Sequence, residues 1–188
     1  MHPEETVVIL DFGSQYTQLI ARRIREAGVY SEIHPCTLPI EDLKHIRPRG
    51  IVLSGGPASV CDADSPGVDG EIFSLGVPIL GICYGMQLMA KDLGGEVVPA
   101  QNREYGRSDL RLLMENPLWE NISDADLTVW MSHGDRVLRP PEGFEVLART
   151  DQVDIAAMAA PERGLYALQF HPEVAHTEDG YQILRNFL

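Results

Sequence analysis

The sequence predicts an α/β protein, a single domain spanning residues 1–188, with a central, mostly parallel sheet flanked by helices and a smaller antiparallel β portion. Two observations predict this class. In the first half, short β-branched runs alternate with helical segments, as in the βαβ units that build a parallel sheet. In the second half, short apolar runs follow one another with polar turns between them, which is typical of antiparallel strands.

The first half is predicted to alternate between strands and helices. The strands are placed at residues 6–11, 29–34, 50–54 and 78–82. The helices are placed at residues 15–27, 40–46 and 71–75, with a further one that starts just past Tyr84 and ends at Gly94. Ser14 can cap the first helix, and Gly28 ends it. Residues 58–70 are rich in Ser, Asp, Pro and Gly, and we expect an exposed or lid-like loop there.

The second half is predicted to consist of short strands and one closing helix. The strands are placed at residues 96–98, 110–113, 127–131, 144–147, 155–158 and 165–170. The closing helix covers residues 179–188, and we expect it to pack Tyr181, Ile183, Leu184 and Phe187 against the core.

The composition narrows the classes of function. Asp and Glu outnumber Lys and Arg by 28 to 15, which gives a formal net charge of −13 and argues against a nucleic-acid or anionic membrane partner. No apolar run approaches the ~20 residues that span a bilayer, and the acidic N-terminal residues are not expected to act as a signal peptide. The cysteines Cys36, Cys61 and Cys83 are odd in number and form no CxxC pair, so we expect a reducing cytoplasm and no metal site.

The stretch around Cys83 carries the strongest chemical signal. Cys83 lies between a predicted strand and a predicted helix, with Gly81 and Gly85 two residues away on either side. This is the pattern of a nucleophile elbow, in which the tight turn leaves no room for a Cβ at the flanking positions. A helix N-terminus also favours a thiolate. The alternative is a buried, inert cysteine, which most lone cysteines are.

A cysteine nucleophile needs a base and a group that orients the base. His171 and Glu173 follow the strand predicted at residues 165–170. They are two residues apart, so both side chains can project to the same side. Pro172 fixes the backbone between them. A carboxylate held there can orient an imidazole and stabilise its charged form, although the same pattern also fits a solvated polar strand end.

The glycines Gly55 and Gly56 follow the third predicted strand and fall at the same sheet edge as Cys83. Backbone N–H groups of Gly56 and Tyr84 can form an oxyanion hole there, while the alternative is a tight turn that needs only flexibility. The residues after the glycines do not match the Ser-Gly-Gly-x-Asp-Ser loop of ATP pyrophosphatases, and no Gly-x4-Gly-Lys-Ser/Thr motif occurs. Nucleotide hydrolysis by this chain is therefore not expected.

These motifs together resemble those of the class I glutamine amidotransferases. The broad likeness rests on Gly-Ile-Cys-x-Gly-Met-Gln at residues 81–87 and on Phe-His-Pro-Glu at residues 170–173. Further stretches are similar to the glutaminase parts of GMP synthetases. These are residues 11–26, 103–107, 132–135 and 173–180, together with Tyr84 directly after the cysteine. The resemblance covers essentially the whole chain and implies a flavodoxin-like fold.

The resemblance implies glutamine hydrolysis to glutamate and ammonia, with Cys83 as nucleophile, His171 as base and Glu173 as its orienting carboxylate. It further implies that glutamine is held by Gly55, Gln87 and a turn formed by Ser132, His133, Gly134 and Asp135. His133 is also compatible with a purely structural role in this turn. The resemblance also implies that His176, Arg103 and Arg107 lie on the side of the chain that faces a partner.

The resemblance also implies a partner. GMP synthetases usually continue into an ATP-pyrophosphatase domain, so ammonia would pass to such a domain or subunit, which aminates XMP to GMP. No cofactor is expected in this chain, and ATP and Mg²⁺ belong to the partner. The alternatives are the glutaminase of an anthranilate, carbamoyl phosphate or CTP synthase, a free-standing γ-glutamyl hydrolase, and a non-catalytic module that retains the fold.

Overall fold

A computed structural model describes residues 5–188, except for the side chains of residues 101–103. Its centre is one nine-stranded sheet with the strand order β2-β1-β3-β4-β9-β8-β7-β5-β6. The strands are β1 (Thr6–Asp11), β2 (Tyr30–Pro35), β3 (Gly50–Leu53), β4 (Ile79–Ile82), β5 (Glu96–Leu112), β6 (Asp126–Arg139), β7 (Glu145–Arg149), β8 (Ala157–Ala160) and β9 (Leu165–Leu168). The helices are α1 (Thr17–Glu26), α2 (Ile40–Ile46), α3 (Tyr84–Asp92) and α4 (Gly180–Phe187).

The parallel part of the sheet comprises β2, β1, β3, β4 and β9. Every residue of β3 and β4 is buried, as expected for central strands that helices cover on both faces. Successive residues of β1 enter different apolar clusters: Val7 and Ile9 pack on the face covered by α1 and α4, whereas Val8 and Leu10 pack on the face covered by α2 and α3. This alternation follows from the two-residue period of a strand.

Antiparallel strands continue the same sheet beyond β9. Within residues 5–188, four strand pairs are antiparallel and four are parallel. The α/β class is confirmed, but the predicted short strands at residues 96–98 and 110–113 belong to one 17-residue strand, β5. Its pairing with β6 is irregular between Pro99 and Glu104. The sequence pattern breaks there because β5 lacks a regular apolar alternation across that stretch.

The predicted turn at residues 132–135 is wrong, because these residues lie inside β6. Every second residue of β6 is buried, and the alternation continues through His133 and Asp135 to Val137. Sequence patterning reads polar residues as exposed, so it ended the strand at Met131. These two polar residues are buried because they have hydrogen-bond partners inside the protein.

Other boundaries differ more modestly. The helix predicted at residues 71–75 is a short 3₁₀ helix, Gly70–Ser74. The strand predicted at residues 155–158 lies two residues later, at Ala157–Ala160. In α4, Ile183 and Leu184 are buried as predicted, whereas Tyr181 is exposed. Among the described residues, no helix is long and apolar enough to cross a membrane.

Candidate active site

Cys83 lies in a strained turn between β4 and α3, and we call residues 81–85 the Cys83 turn. Cys83 has φ 52° and ψ −104°, a conformation that costs a residue with a Cβ on the order of 1–3 kcal/mol. Close packing holds it there. A Cβ on Gly81 would lie 2.7 Å from the carbonyl carbon of Gly85, and a Cβ on Gly85 would collide with the carbonyl oxygen of Leu53. The positive φ and both glycines are the geometry of a nucleophile elbow.

The thiol of Cys83 is buried and has two neighbours. Its Sγ donates to the carbonyl oxygen of Ser132 at 3.2 Å, and on its other side Cys83 shares the wall of one cavity with the ring of His171. The backbone N–H of Cys83 donates to Leu168 O at 2.7 Å, which ties the turn to β9. The nucleophile candidate is therefore fixed between the parallel strands and β6.

His171 and Glu173 form a buried pair. Nδ1 of His171 lies 2.7 Å from Oε1 of Glu173, with side-chain exposures of 4% and 0%. Burial lowers the pKa of His171, but the negative charge of Glu173 and the interactions of the protonated ring with Cys83 and Glu173 outweigh it and raise this pKa to about 10. A raised imidazole pKa favours transfer of a proton from a neighbouring thiol to the ring.

The second carboxylate oxygen of Glu173 is buried and has no hydrogen-bond partner among the described residues. The imidazole is thus the group that compensates most of the carboxylate charge, which is the arrangement that best stabilises a protonated ring. Arg23 touches only the backbone here, since its Nε donates to Glu173 O at 3.2 Å. The pair therefore suits a role in which His171 carries the proton between steps.

Residues 171–178, which we call the histidine segment, run beside the edge strand β6. The N–H of His171 donates to Trp130 O at 3.0 Å, and Glu178 N donates to Thr128 O at 2.8 Å. Thr177 links both sides, because its Oγ1 donates to His171 O at 2.6 Å and accepts from Trp130 N at 3.0 Å. One strand, β6, therefore anchors the histidine and also supplies the Ser132 carbonyl beside the thiol.

The glycines after β3 lie against the same thiol. A Cβ on Gly55 would stand 3.0 Å from the His171 ring, and one on Gly56 would stand 2.6 Å from Phe12 O, so neither position has room for a side chain. The missing side chains thus let His171 and Phe12 pack closely against Gly55 and Gly56. Gly56 lines both cavities that reach Cys83, and the N–H of Tyr84 belongs to the first turn of α3, where such groups are available to an anion.

Two cavities meet at Cys83. The larger, of about 480 Å³, extends from Cys83 along β6 and the start of the loop after β3. Its lining includes six of the residues predicted to hold glutamine or the oxyanion, besides Cys83 itself. They are Gly56, Gln87, Ser132, His133, Gly134 and Asp135. The smaller, of about 290 Å³, lies on the side of His171 and the residues that precede α1.

Gln87 lines the larger cavity, but its side chain is already engaged. Its Nε2 donates to Asp135 O at 2.9 Å and to Gln169 Oε1 at 3.2 Å. Both N–H groups of this amide therefore have protein partners, and Gln87 fixes the backbone of β6 beside the thiol. The contact of Gln169 with Gln87 could not be predicted, because Gln169 lies in a segment whose sequence pattern is that of a buried strand.

His133 also lines the larger cavity, and both of its ring nitrogens face protein groups. Nδ1 lies 2.9 Å from Asp135 O, and Nε2 lies 3.2 Å from a carboxylate oxygen of Glu104. Burial raises the pKa of Glu104, but hydrogen bonds from His133 and Ser108 outweigh it and lower the pKa overall. This geometry favours the structural interpretation of His133. Sequence analysis missed Glu104, which is 29 residues away and meets His133 only through strand pairing.

The loop at residues 58–70 is mostly exposed, as expected, but hydrogen bonds tie it to the rest of the protein, and three of them are short. Ser59 Oγ donates to Asp135 Oδ2, Lys91 Nζ to Val60 O and Tyr84 Oη to Pro66 O, each at 2.5 Å. Val60 is fully buried, contrary to the prediction of an exposed loop. An apolar valine between polar residues gave too little signal to predict this anchor.

The residues assigned to a partner-facing side lie on the outer surface. Arg107 is exposed on β5 opposite Trp130 of β6, and the Trp130 ring packs on exposed His176 at a centroid distance of 4.7 Å. The side chain of Arg103 lies outside the described residues. Cys36 and Cys61 are free thiols in the structure, and exposed Cys61 lines the larger cavity that reaches Cys83.

Comparisons with known proteins identify the family of the chain and agree with its fold. A family described as "Glutamine amidotransferase class-I" matches residues 8–188, and the chain belongs to this family. The chain also resembles a particular branch. It is 60% identical over 190 residues to the "GMP synthase [glutamine-hydrolyzing]" of Solidesulfovibrio magneticus and 56% identical over 184 residues to that of Caldanaerobacter subterraneus. These matches cover 100% and 98% of the chain but only 37% and 36% of the relatives.

Solved structures give the same result. A protein of Thermoplasma acidophilum, described as one of the subunits of a GMP synthase, superposes with a TM-score of 0.90 at 33% identity, over 100% of this chain and 94% of the other. A glutamine amidotransferase of Thermotoga maritima superposes with a TM-score of 0.72 at 22% identity, over 92% and 78%. The second likeness concerns the fold alone.

Proposed function

We propose that this chain is the glutaminase part of a GMP synthase and hydrolyses glutamine to glutamate and ammonia. The observation that carries the proposal is the buried, hydrogen-bonded pair His171–Glu173 beside Cys83, at the point where two cavities meet. The relatives named as GMP synthases support the choice of pathway. We propose the cytoplasm as its location, in keeping with the free thiols.

In the proposed reaction, Cys83 Sγ attacks the side-chain amide carbon of glutamine, while its proton resides on His171. The oxyanion accepts hydrogen bonds from the backbone N–H groups of Gly56 and Tyr84. One such donor is worth about 3 kcal/mol of transition-state stabilisation. His171 then protonates the leaving nitrogen, the C–N bond breaks, and a γ-glutamyl thioester remains on Cys83.

In the second half of the reaction, His171 accepts a proton from water, and the water oxygen attacks the thioester carbon. The C–S bond breaks, and glutamate leaves. Glu173 keeps the imidazole oriented and compensates its charge in both halves. Gly55, Ser132, Gly134 and Asp135 would surround the amino-acid end of glutamine, with Gln87 and His133 fixing β6 from behind.

We further propose that the ammonia is used by an ATP-pyrophosphatase domain or subunit, which binds ATP and Mg²⁺ and aminates XMP to GMP. The chain spans about 37% of the length of the GMP synthases that it matches, so this second activity would belong to the remaining part. The glutamine amidotransferase family accounts for residues 8–188 of this chain.

The first experiment tests the glutaminase. The chain is treated with a glutamine-like chloroketone, and the labelled residue is identified by mass spectrometry. We expect labelling at Cys83, competition by glutamine, and loss of both labelling and hydrolysis in Cys83→Ser. Labelling at exposed Cys61 instead would contradict the assignment.

The second experiment tests the pathway. The chain is mixed with the ATP-pyrophosphatase part of a GMP synthase, ATP, Mg²⁺, XMP and glutamine, and GMP is measured. We expect GMP from glutamine with this chain and from ammonium without it. GMP that forms with ammonium but never with glutamine would contradict the proposal and favour the glutaminase of another synthase or a free-standing hydrolase.

A further inference from the structure

Cys83 separates two cavities that have different linings. Both cavities touch Cys83, Gly56 and Ser132. Gln87 and the inner residues of β6 line only the larger one, whereas His171 lines only the smaller one. The two cavities are therefore not equivalent with respect to the groups that move protons.

The smaller cavity is formed mainly by the residues between β1 and α1. Ser14, Gln15 and Tyr16 contribute to its wall, and the Tyr16 ring packs edge-on against the His171 ring at a centroid distance of 5.2 Å. The hydroxyl of Ser14 accepts from Tyr16 N at 3.0 Å, which fixes the bend of this wall. With about 290 Å³, the cavity has room for several water molecules, each of which occupies about 30 Å³ in the liquid.

The chemistry gives the two sides of Cys83 different tasks. The nitrogen that leaves must take its proton from His171, so it has to depart on the side of this ring. The water that cleaves the thioester gives its proton to the same ring, so it has to arrive from the same side. The larger cavity offers no contact with His171, and it is lined by backbone and polar groups that suit an amino acid.

We propose that the smaller cavity is the passage through which ammonia leaves and water reaches the thioester. Ser14, Gln15 and Tyr16 are its wall. This inference rests on the proposed glutaminase reaction. As the Cys83 S–C bond forms, the C–N bond breaks and ammonia departs with the proton of His171. Water then bonds to the same carbon, returns a proton to His171, and the C–S bond breaks.

The test fills each cavity separately and compares the two results. Ser14→Leu and Gln15→Trp place bulk in the smaller cavity, and Gln15 is exposed, so its replacement leaves the core untouched. Ser14→Ala removes the same hydroxyl without adding bulk and is the matched control. Ala58→Leu places bulk in the larger cavity. Each variant is compared at a thermal midpoint close to that of the wild type.

For both variants of the smaller cavity we expect kcat to fall about tenfold or more while KM does not rise. The γ-glutamyl thioester should accumulate on Cys83 in acid-quenched samples examined by mass spectrometry. Alkylation by a glutamine-like chloroketone should stay near the wild-type rate, because it requires neither ammonia release nor water. Ala58→Leu should instead raise KM and slow alkylation. Ser14→Ala should retain a higher kcat than Ser14→Leu.

Two results would overturn the inference. If Ser14→Leu and Gln15→Trp raise KM and slow alkylation as Ala58→Leu does, the smaller cavity holds glutamine. If both retain the wild-type kcat, the cavity carries neither ammonia nor water. A wild-type chain that forms no thioester would instead contradict the proposed function itself, so the two failures are distinguishable.

Discussion

At the Cys83 turn, tight backbone packing against glycines fixes the proposed nucleophile, whereas in the histidine segment polar side chains fix the proposed base. Gly81 and Gly85 permit this packing because they have no side chain, and a Cβ at either position would overlap the backbone. His171 depends on groups that are present, above all Glu173 and Thr177. The nucleophile is thus held by steric exclusion and the base by hydrogen bonds, and the two regions should fail differently when they are mutated.

The largest effect is expected at Gly85, because an added Cβ meets the carbonyl of Leu53 and neither backbone can yield easily. Gly85→Ala should lower the free energy of unfolding by about 3 kcal/mol or more, and little folded protein should remain to assay. Urea unfolding followed by circular dichroism measures this. Gly67→Ala, where nothing lies within 4 Å of the added Cβ, is the control and should change stability little. Equal stability of the two variants would contradict steric fixation.

The next largest effect is expected at Glu173 and should be chemical rather than steric. Glu173→Gln keeps the shape but removes the charge that raises the pKa of His171, and kcat should fall by roughly 10³-fold or more. The steady-state rate of ammonia release measures this. Glu162→Gln, at an exposed site, is the control. A Glu173→Gln variant with nearly normal kcat would show that His171 needs no charged partner.

The same variant should change the pH dependence of stability. The pKa of His171 is raised from 6.5 to about 10, so the protonated form is stabilised in the folded chain. This contribution is fully present below about pH 6.5 and is lost as the pH rises through about 10. The wild type should therefore lose unfolding free energy between pH 7 and pH 10. Glu173→Gln should lose less, as measured by urea unfolding at several pH values.

The smallest effect is expected at Thr177. Thr177→Val removes the hydroxyl that bridges His171 O and Trp130 N, and it leaves the partly buried N–H of Trp130 unpaired at a cost of about 1 kcal/mol. Because His171 would lose only part of its support, kcat should fall by about tenfold with little change in KM. Thr177→Ser restores the hydroxyl and should recover most of the activity. Failure of Ser to rescue would assign the loss to packing instead of the bridge.

The difference between the two regions also explains what could be predicted from the sequence. The Cys83 turn and the pair His171–Glu173 are local patterns, with all of their members within five residues, so the residue types and spacing sufficed. Glu104 and Thr177 act through contacts with β6, whose partners lie 29 and 47 residues away. Such contacts depend on the register of strands, which the apolar pattern does not specify when the buried residues are polar.

The fold follows the same division. The parallel strands and α1 and α2 could be predicted nearly to the residue, because their apolar runs are continuous or strictly periodic. The long strands β5 and β6 could not, because an irregular pairing and buried polar residues interrupt the pattern. The part of the sheet that lines the larger cavity was therefore the least predictable part.

Tyr84 contributes to two different features, the backbone beside Cys83 and the position of the loop at residues 58–70. Its backbone N–H follows the nucleophile, while its hydroxyl holds Pro66 in the loop beside the larger cavity. A leucine at this position would keep the first property and abolish the second, so the loop would gain freedom without any change in the chemical groups. A substitution at Tyr84 that is meant to change substrate choice through this loop must therefore leave the backbone N–H of residue 84 in place.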